Sequence, residues 1–479
     1  GLWWSLTRGM RFASIGSVAA LTAAALLVVV ASPGSVSSAG GSPIITQDPA
    51  AVDLAERLIL PGVGSFGAAM ESLRARGLVG PIERRIRENR PTLGICLGLQ
   101  VLCASSEESP GVPGLGVVPG RVTRLAGSPT LPVPQMTWNR VVPGEASMDV
   151  SPGWAYYANS FRLAEPPEGW AVAMTDYGGC FVAAMQRGRV LACQFHPELS
   201  GPWGIDLIRR WMSGGGAASA LQVVPEALSR PPSRVIPCLD VKDGRVVKGF
   251  QFGNLRDMGD PATLAAAYER QGADEIVLLD VSATVESRGA RIRTVSDVRR
   301  AISIPLTVGG GVRSKEDAAA LLDAGADKVS VNTAAVADPS LIHRLAEVFG
   351  RQCVVVAIDA VRGNGGWSVV VRSGSTQAGL DVVRWAKEAE SRGAGEILLT
   401  SHDRDGTRAG YDLELLRSVA SQVGIPVIAS GGASTPDHLA DALHAGASAV
   451  LAASIFHESE YSVGQVKSSL AERGVEVRP

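Results

Sequence analysis

The chain has 479 residues, of which 46% are hydrophobic and 19% charged, and its net charge is −2. This composition is that of a globular protein with room for about three domains, or fewer if one is a barrel of ~250 residues. The near-neutral charge excludes the basic surface that a nucleic-acid partner requires. The six cysteines do not suit a disulfide framework in a chain this long, and several lie in apolar runs, which favours a reducing compartment. Neither Cys-x-x-Cys nor His-x-x-x-His spacing occurs, so we expect no zinc site and no required cofactor.

The first feature in chain order is an apolar segment at residues 12–31, which follows two arginines. By itself this pattern predicts a signal peptide or a membrane anchor. The alternative is an atypical apolar extension, residues 1–25, that leads into a buried first strand ending at Ala31. The remainder of the chain has the character of a cytosolic enzyme, which favours the extension. The sequence does not begin with methionine, and Met10 is a candidate start.

A cysteine lies where a predicted strand meets a predicted helix. Residues 92–100 are typical of a strand, a sharp turn and a helix, with Cys96 in the turn between Gly94 and Gly98. Backbone N–H groups and the helix dipole lower the pKa of a thiol at such a position. Flanking glycines permit the strained turn that presents a nucleophile. The alternative is a buried structural cysteine, which is the usual state of a free thiol.

A nucleophilic thiol needs a base, and the N-terminal region up to about residue 215 contains one histidine, His196. Glu198 follows two positions later, in the segment Gln-Phe-His-Pro-Glu. A carboxylate there can orient the imidazole and stabilise its positive charge. A lone histidine is usually structural, but this one stands at a strand end beside a carboxylate, with a turn cysteine upstream. The combination favours catalysis.

Three segments of this region, 61–66, 94–100 and 194–198, resemble the triad-type, class I glutamine amidotransferases. Within that group they are most similar to the glutaminase subunit of the imidazole glycerol phosphate synthases. The resemblance implies an α/β fold with a doubly wound sheet over residues 26–212.

The resemblance also implies a role for each matching residue. Cys96 would attack the amide of glutamine and release ammonia, with His196 as base and acid and Glu198 orienting the imidazole. Gly64 and backbone amides after Cys96 would form the oxyanion hole, and Gln100 would help to hold the substrate.

The chain departs from that family in several places. The first helix is truncated or missing, because few residues separate the first strand from the next. Gln135 and Asn159 stand where the family often has histidine, and Leu199 stands where it commonly has lysine. In the family these positions lie near the surface that faces the cyclase partner. The departures therefore concern the activation of the glutaminase and its coupling to the cyclase more than the triad itself.

A linker and an internal repeat follow. Residues 213–232 are rich in Gly, Ser and Pro and predict a tether between domains. Behind it, residues 233–479 repeat at an offset of about 120 positions, so that an apolar strand ending on Asp240 has a counterpart ending on Asp359. A repeat of this length fits four βα units, and two copies make a (β/α)8 TIM barrel. The alternative is two α/β lobes that do not close.

The active site of such a barrel lies at the carboxyl ends of its strands. Asp240 and Asp359 would stand on opposite sides of this mouth, where two carboxylates can serve as acid and base. Glycine-rich strand ends with exposed N–H groups bind phosphate, and two repeat-related turns predict a substrate with a phosphate at each end. The residues predicted for the two phosphate sites are Gly310, Gly311, Asn332 and Thr333, and Ser430, Gly431, Gly432 and Ser454.

Four charged residues mark the opposite ends of the strands: Arg234, Glu275, Lys328 and Glu396. Buried charges are costly unless they are paired, and the signs here are opposite. We therefore predict a ring of salt bridges across the barrel floor. The alternative is a set of ordinary solvated charges.

Residues 234–478 closely resemble the cyclase subunit of the imidazole glycerol phosphate synthases, most clearly at 238–249, 308–311, 357–360 and 399–407. The resemblance implies that Asp240 and Asp359 are the acid/base pair. It also implies that ammonia from Cys96 crosses the barrel floor through the ring of charges. Further residues that it places in the site are Lys248, Asp280, Asn332, Thr400, Asp405 and Gly406.

Together the two resemblances cover about nine-tenths of the chain and imply that one polypeptide carries out both the glutaminase and the cyclase reaction of imidazole glycerol phosphate synthesis, in histidine biosynthesis. Its substrates would be glutamine and a bisphosphorylated ribulosyl intermediate, with no separate glutaminase partner and no nucleic acid, in the cytoplasm. One alternative is an ammonia-dependent cyclase whose impaired N-terminal domain binds glutamine for regulation. Others are the related sugar-isomerase barrel of the same pathway, and a membrane-anchored form.

Overall fold

The computed structural model describes most of the chain. The described residues are 28–31, 43–62, 64–144, 148–214, 231–250, 253–281, 288–363, 365–371, 376–458 and 460–479. Most of the apolar segment predicted at 12–31 and of the tether predicted at 213–232 therefore lies outside the described residues. Within those ranges, none of the helices is both long enough and apolar enough to cross a membrane.

The N-terminal domain is an α/β domain built on a nine-stranded sheet, with a small second sheet beside it. Its described strands are β1 Val28–Ala31, β2 Pro43–Thr46, β3 Arg57–Leu60, β4 Thr92–Ile95, β5 Cys103–Ser106, β6 Val118–Arg124, β7 Gln135–Pro143, β8 Gly153–Asn159, β9 Phe161–Leu163, β10 Ala171–Asp176, β11 Cys180–Arg187 and β12 Val190–Cys193. Its described helices are α1 Pro49–Leu54, α2 Phe66–Ala75, α3 Val79–Arg87, α4 Leu97–Gln100 and α5 Gly201–Ser213, with a 3₁₀ turn at Pro197–Leu199.

The centre of the large sheet is parallel and covered on both faces. Strand β4 is fully buried and pairs in parallel with β3 and β12. Alternate residues of β3 point to opposite faces, so Leu58 packs with α2 and α3 whereas Ile59 packs in the core that includes Trp211 of α5. At the edge, β1 runs antiparallel to both β2 and β3. The short first unit of the sequence thus forms an antiparallel edge on a parallel centre.

The C-terminal domain contains the barrel and two hairpins. Its described strands are β13 Arg234–Lys242, β14 Arg245–Phe250, β15 Gly253–Gly259, β16 Ile276–Asp280, β17 Leu306–Gly309, β18 Lys328–Val331, β19 Val354–Gly363, β20 Gly366–Val371, β21 Thr376–Asp381, β22 Glu396–Ser401, β23 Val427–Ser430 and β24 Ala449–Ala452. Its described helices are α6 Pro261–Arg270, α7 Arg288–Ala301, α8 Lys315–Asp323, α9 Thr333–Ala337, α10 Ser340–Phe349, α11 Val382–Ser391, α12 Leu413–Ala420, α13 Pro436–His444, α14 Ser454–His457 and α15 Val463–Glu472, with a 3₁₀ turn at Arg351–Cys353.

Eight strands close this domain into a barrel. Strands β13, β16, β17, β18, β19, β22, β23 and β24 pair in parallel in that order, and β24 pairs with β13. The prediction of a closed (β/α)8 barrel is confirmed, and the alternative of two open lobes is wrong.

The internal repeat extends to the helix caps and the hairpins. Asp260 caps α6 by accepting from Thr263 N, and Asp381, at 121 positions further on, caps α11 in the same way. Ser314 and Thr435 cap α8 and α13 and have the same spacing. The hairpin β14–β15 after the first barrel strand likewise corresponds to β20–β21 after the fifth. The hairpins were not predicted from the sequence.

The N-terminal domain docks on the floor of the barrel, where the strands begin. Trp138 Nε1 donates to the carbonyl of Asp274 at 3.0 Å, just ahead of β16. The backbone N–H of Gly201 donates to the carbonyl of Ser303 at 3.1 Å, ahead of β17. Trp138 also packs with Tyr156 inside the main hydrophobic core of the barrel. The two domains therefore share one apolar core at this interface.

Candidate active sites

Cys96 occupies a strained turn between β4 and α4. Its backbone has φ 52° and ψ −106°, a conformation that costs a non-glycine residue energy and is concentrated at functional sites. The turn is tight because a Cβ atom at Gly98 would lie 1.9 Å from the carbonyl oxygen of Leu60. The backbone N–H of Cys96 donates to the carbonyl of Cys193 at 2.7 Å. The geometry is that of a nucleophile elbow.

His196 and Glu198 lie beside this thiol. The His196 Nδ1 and Glu198 Oε1 atoms are 2.8 Å apart, and both side chains are almost completely buried. Burial alone lowers the pKa of His196, but the charges of Cys96 and Glu198 and a hydrogen bond to each outweigh it, so the pKa lies well above the usual value. The structure thus brings the three predicted residues together as a thiol, an imidazole and an orienting carboxylate, which can carry out acyl transfer.

A cavity of about 190 Å³ opens beside Cys96 and is lined by both domains. Gly64 and Gln100 contribute from the N-terminal domain, and Arg351 contributes from the 3₁₀ turn of the barrel. Glu108 also lines the cavity, and burial raises the pKa of its carboxyl group although Phe66 N donates to it at 2.7 Å. A cation and an acid beside a nucleophile suit an amino-acid substrate that carries a carboxylate and an ammonium group.

Glu108 and Arg351 were missed by the sequence reasoning. Neither lies in a motif, and Arg351 comes from the other domain. Only its place just after α10, on the floor side of the barrel, could have pointed to the interface.

The three departures from the family have defined places. Gln135 and Asn159 are cross-strand neighbours on β7 and β8, both buried, and Asn159 also lines the cavity beside Cys96. Asn159 Nδ2 donates to the carbonyl of Phe161 at 3.0 Å. Leu199 packs in the apolar core shared with the barrel. None of these residues adds a charge to the interface.

The four charges at the strand starts form a ring. Arg234 contacts Glu275 at 2.8 Å and also pairs with Glu396, while Lys328 contacts Glu275 at 2.7 Å and Glu396 at 2.5 Å. All four side chains are 3% exposed or less. Thr307 Oγ1 donates to Glu275 Oε1 at 2.6 Å. The ring spans the barrel floor.

Burial and pairing oppose each other in this ring, and pairing prevails. Burial alone lowers the pKa of Arg234 and of Lys328, yet the two carboxylates raise both above their usual values. Burial alone raises the pKa of Glu396, and the two cations lower it. All three groups therefore hold their charge.

Tyr156 links the ring to the triad. Its carbonyl accepts from the backbone N–H of His196 at 2.9 Å. Burial raises the pKa of its hydroxyl, and the four charges of the ring also act on that hydroxyl. The Tyr156 hydroxyl has no hydrogen-bond partner among the described residues. It is thus a buried polar group between the thiol site and the floor.

The two predicted aspartates lie at the carboxyl ends of β13 and β19, at the mouth. Cys238 Sγ is 3.7 Å from Asp240 Oδ1, and Asn332 Nδ2 donates to Asp359 Oδ2 at 2.9 Å. Burial raises the pKa of Asp359; the hydrogen bond from Asn332 acts against it, and Asp405 acts with it. A carboxyl group of raised pKa in a barrel mouth suits proton transfer.

The remaining predicted residues lie on elements at the same end of the barrel. In the strand register, Asp359 is opposite Thr400 and Thr400 is opposite Ser430, while Asp280 ends β16. Asp405 and Gly406 follow β22, and Thr333 and Ser454 begin the short helices α9 and α14. Lys248 lies on β14, but its side chain is outside the described residues.

Both glycine turns have backbone conformations that favour glycine. Gly310 and Gly311 have φ values of 96° and 63°, and Gly431 and Gly432 have values of 92° and 96°. A Cβ atom at Gly310 would lie 2.3 Å from the carbonyl of Asp280. The Arg291 guanidinium donates to the carbonyl of Gly310, a contact that the sequence reasoning missed. The two turns occupy repeat-related positions around the mouth.

Comparison with known proteins covers both halves of the chain. A family described as histidine biosynthesis protein matches residues 234–462, and one described as glutamine amidotransferase class-I matches residues 42–212. The imidazole glycerol phosphate synthase subunit HisF of Dehalococcoides mccartyi, strain BAV1, is 60% identical over 246 residues, which are 51% of this chain and 97% of that protein. The subunit HisF of Hyphomonas neptunium is 57% identical over 247 residues, which are 51% of this chain and 98% of that protein.

Proposed function

This chain belongs to the imidazole glycerol phosphate synthase family, and we propose that it carries out glutamine-dependent imidazole glycerol phosphate synthesis in histidine biosynthesis as a single-chain enzyme. The observation that carries the proposal is the placement of the two sites. The Cys96 triad lies against the floor of the barrel whose mouth holds Asp240 and Asp359, and the ring of four charges lies between them.

The first reaction is the hydrolysis of glutamine. Cys96, as the thiolate paired with the His196 imidazolium, attacks the amide carbon, and Gly64 with backbone amides after Cys96 holds the oxyanion. His196 then gives its proton to the leaving nitrogen, which departs as ammonia and leaves a glutamyl thioester. Water attacks the thioester, His196 takes its proton, and glutamate is released. Glu198 orients the imidazole, and Gln100, Glu108 and Arg351 hold the amino acid.

Ammonia then crosses the barrel floor. The ring closes the route when all its ion pairs are made, so one pair must part for ammonia to pass. Lys328 is the side chain most suited to this movement, since its ammonium sits at the end of a flexible stem whereas Arg234 is held by a planar fork. An apolar interior keeps ammonia neutral and nucleophilic, because desolvation disfavours ammonium.

The second reaction takes place at the mouth. Asp240 and Asp359 act as acid and base while ammonia attacks a bisphosphorylated ribulosyl aminoimidazole carboxamide intermediate. The products are imidazole glycerol phosphate and aminoimidazole carboxamide ribonucleotide. The glycine turns at Gly310 and Gly431 bind the two phosphates, supported by the other residues predicted for the mouth. These are Gly311, Asn332, Thr333, Ser430, Gly432, Ser454, Lys248, Asp280, Thr400, Asp405 and Gly406.

We propose the same domain division as the sequence analysis: an extension at 1–25, a glutaminase at 26–212, a linker at 213–232 and a cyclase barrel at 233–479. The two matched families fall inside the second and fourth of these segments. A cytoplasmic location is part of the proposal, supported by six cysteines that are all unpaired.

The test is formation of imidazole glycerol phosphate by the purified chain, with glutamine and separately with an ammonium salt at alkaline pH. We expect activity with both nitrogen sources, and Cys96→Ala should abolish only the reaction with glutamine. Activity of the wild-type chain with ammonia alone would favour the regulatory alternative, which the assembled triad argues against. Activity with neither source would refute the proposal.

A further inference from the structure

A second side chain, in addition to His196, contacts the nucleophile. Gln194 is fully buried between β12 and His196, and its Nε2 donates to the Sγ of Cys96 at 3.6 Å. Its backbone N–H donates to the carbonyl of Ala183 at 2.8 Å, which fixes the chain at this point. The amide of Gln194 therefore touches the atom that reacts.

The orientation of this amide is fixed by a second glutamine. Gln100 Nε2 donates to Gln194 Oε1 at 3.1 Å and to the carbonyl of Phe161 at 3.1 Å. These two bonds use both hydrogens of the Gln100 amide. Gln194 must then present its oxygen to Gln100 and its NH₂ group to the sulfur, so the hydrogen-bond network assigns the rotamer.

We propose that Gln194 is a further catalytic residue of the glutaminase, which stabilises the Cys96 thiolate through an N–H···S hydrogen bond, and that Gln100 acts as its positioning residue. The inference rests on the proposed function of Cys96. A hydrogen bond to the charged form of a group favours that form, and it is stronger in a buried site than at the surface.

The bond serves both halves of the reaction. Before attack it places a hydrogen-bond donor against the sulfur that bears the negative charge of the thiolate. During hydrolysis of the thioester the carbon–sulfur bond breaks and the electron pair returns to sulfur, where the N–H of Gln194 again meets a developing negative charge. His196 alone transfers the proton, because a side-chain amide neither gains nor loses a proton at the pH values at which an enzyme works.

A merely structural glutamine would leave the chemistry of the thiol unchanged, and that difference provides the test. Gln194→Met keeps the length of the side chain but removes the donor. Gln194→Glu keeps an acceptor for Gln100 and turns an oxygen toward the sulfur. The matched control is Gln186→Met on β11, whose amide bonds to Asp149 and not to the site.

The measurement is the rate of alkylation of Cys96 by iodoacetamide against pH, followed on the Cys96 peptide by mass spectrometry. The exposed Cys180 serves as reference in the same sample. Loss of a hydrogen bond to a charged group predicts an upward shift of the profile midpoint by roughly one to two pH units in Gln194→Met. The shift should be larger in Gln194→Glu and absent in Gln186→Met. Glutamine hydrolysis should fall by roughly 10- to 100-fold in Gln194→Met.

Ammonia-dependent product formation reports whether each variant is folded. If Gln194→Met lacks that activity, the alkylation profile of Gln194→Glu, which keeps the bond with Gln100, tests the inference instead. An unshifted Cys96 profile in either folded variant overturns the inference. This outcome is distinct from failure of the proposed function, which would appear as a wild-type chain that does not hydrolyse glutamine, since alkylation requires no turnover.

Discussion

The floor and the mouth of the barrel are built from the same eight strands but differ in the partners of their charged side chains. At the floor, Arg234 and Lys328 each face both Glu275 and Glu396, and all four side chains are buried. At the mouth, Asp359 is half-buried and accepts from Asn332, a neutral amide.

This difference between floor and mouth corresponds to two proposed roles, the passage of ammonia and acid–base catalysis. Paired charges resist titration, because each carboxylate holds its neighbours in the charged state. Partial burial raises the pKa of the Asp359 carboxyl group, and a raised pKa suits that group to proton transfer. The floor is therefore suited to opening and closing, and the mouth to acid–base catalysis.

The largest expected effect is at the mouth. Asp359→Asn removes the proposed acid or base, a contribution of roughly 10²- to 10⁴-fold to the rate. Product formation should fall to this extent with glutamine and with ammonia alike. The measurement is kcat with each nitrogen source, with Asp437→Asn, an exposed carboxylate paired with Arg473, as control. A loss with only one of the two sources would contradict the assignment.

The next effect is at the floor. Lys328→Met leaves Glu275 and Glu396 with one cation, and breaking a buried ion pair costs about 3–5 kcal/mol. We expect a lower free energy of unfolding in urea and glutamate release that no longer matches product formation, because the floor no longer controls the passage of ammonia. Arg300→Met breaks an exposed pair with Asp297 and should cost about 1 kcal/mol or less. Equal losses of stability in the two variants would remove the distinction drawn for the floor.

A smaller effect, on the KM for glutamine, is expected at the part of the barrel that lines the cavity beside Cys96. Arg351→Ser removes the cation that lines the Cys96 cavity, so KM for glutamine should rise by roughly 10-fold, the equivalent of one hydrogen bond to a charged group. Kinetics with ammonia should not change. Arg344→Ser, on the exposed side of α10, is the matched control. An unchanged KM would assign Arg351 to packing alone.

The smallest effect is on stability at the mouth, and its sign is opposite to that at the floor. The pKa of Asp359 is raised in the fold, so the unfolded chain loses its proton at lower pH than the folded chain does. Stability contributed by this group therefore falls as pH rises from the ordinary Asp range toward the raised pKa. Asp359→Asn should stabilise the protein above that window and lose this advantage in acid. Urea unfolding at several pH values would measure it, and destabilisation at neutral pH would contradict it.

Most of the barrel could be predicted from the sequence because the internal repeat marks its strands and helices. The offset that relates Asp240 to Asp359 also relates the helix caps Asp260 and Asp381, so local and global signals agree along the barrel. The hairpin β20–β21 could not be predicted, since its strands extend beyond the barrel wall and, within the described part of the chain, pair with each other and with the end of β19. The antiparallel pairing of β1 could not be predicted either. A strand of four apolar residues contains no signal that distinguishes parallel from antiparallel pairing.

The candidate sites divide in the same way. Cys96, His196 and Glu198 could be found because each lies in a motif with a chemical reason for its position. Gln194 stands in the same motif as His196, but its donation to the thiol depends on Gln100, nearly a hundred residues away in the chain. Contacts that form only after folding leave little trace in the local sequence.

The stacking of Arg478 on Trp138 has a consequence for how the protein is made. The Arg478 guanidinium lies 4.0 Å from the centre of the Trp138 ring, and the same side chain contacts Asp274 at 2.8 Å. Arg478 follows every strand of the barrel in sequence, so a ribosome delivers it after all of them. The contacts of Trp138 with Asp274 and of Gly201 with Ser303 involve residues that are made earlier, so docking can begin before the contact with Arg478 forms. The cation–π contact can therefore form only after all the described barrel strands have been synthesised, and it completes an interface that domain-by-domain folding can already have begun.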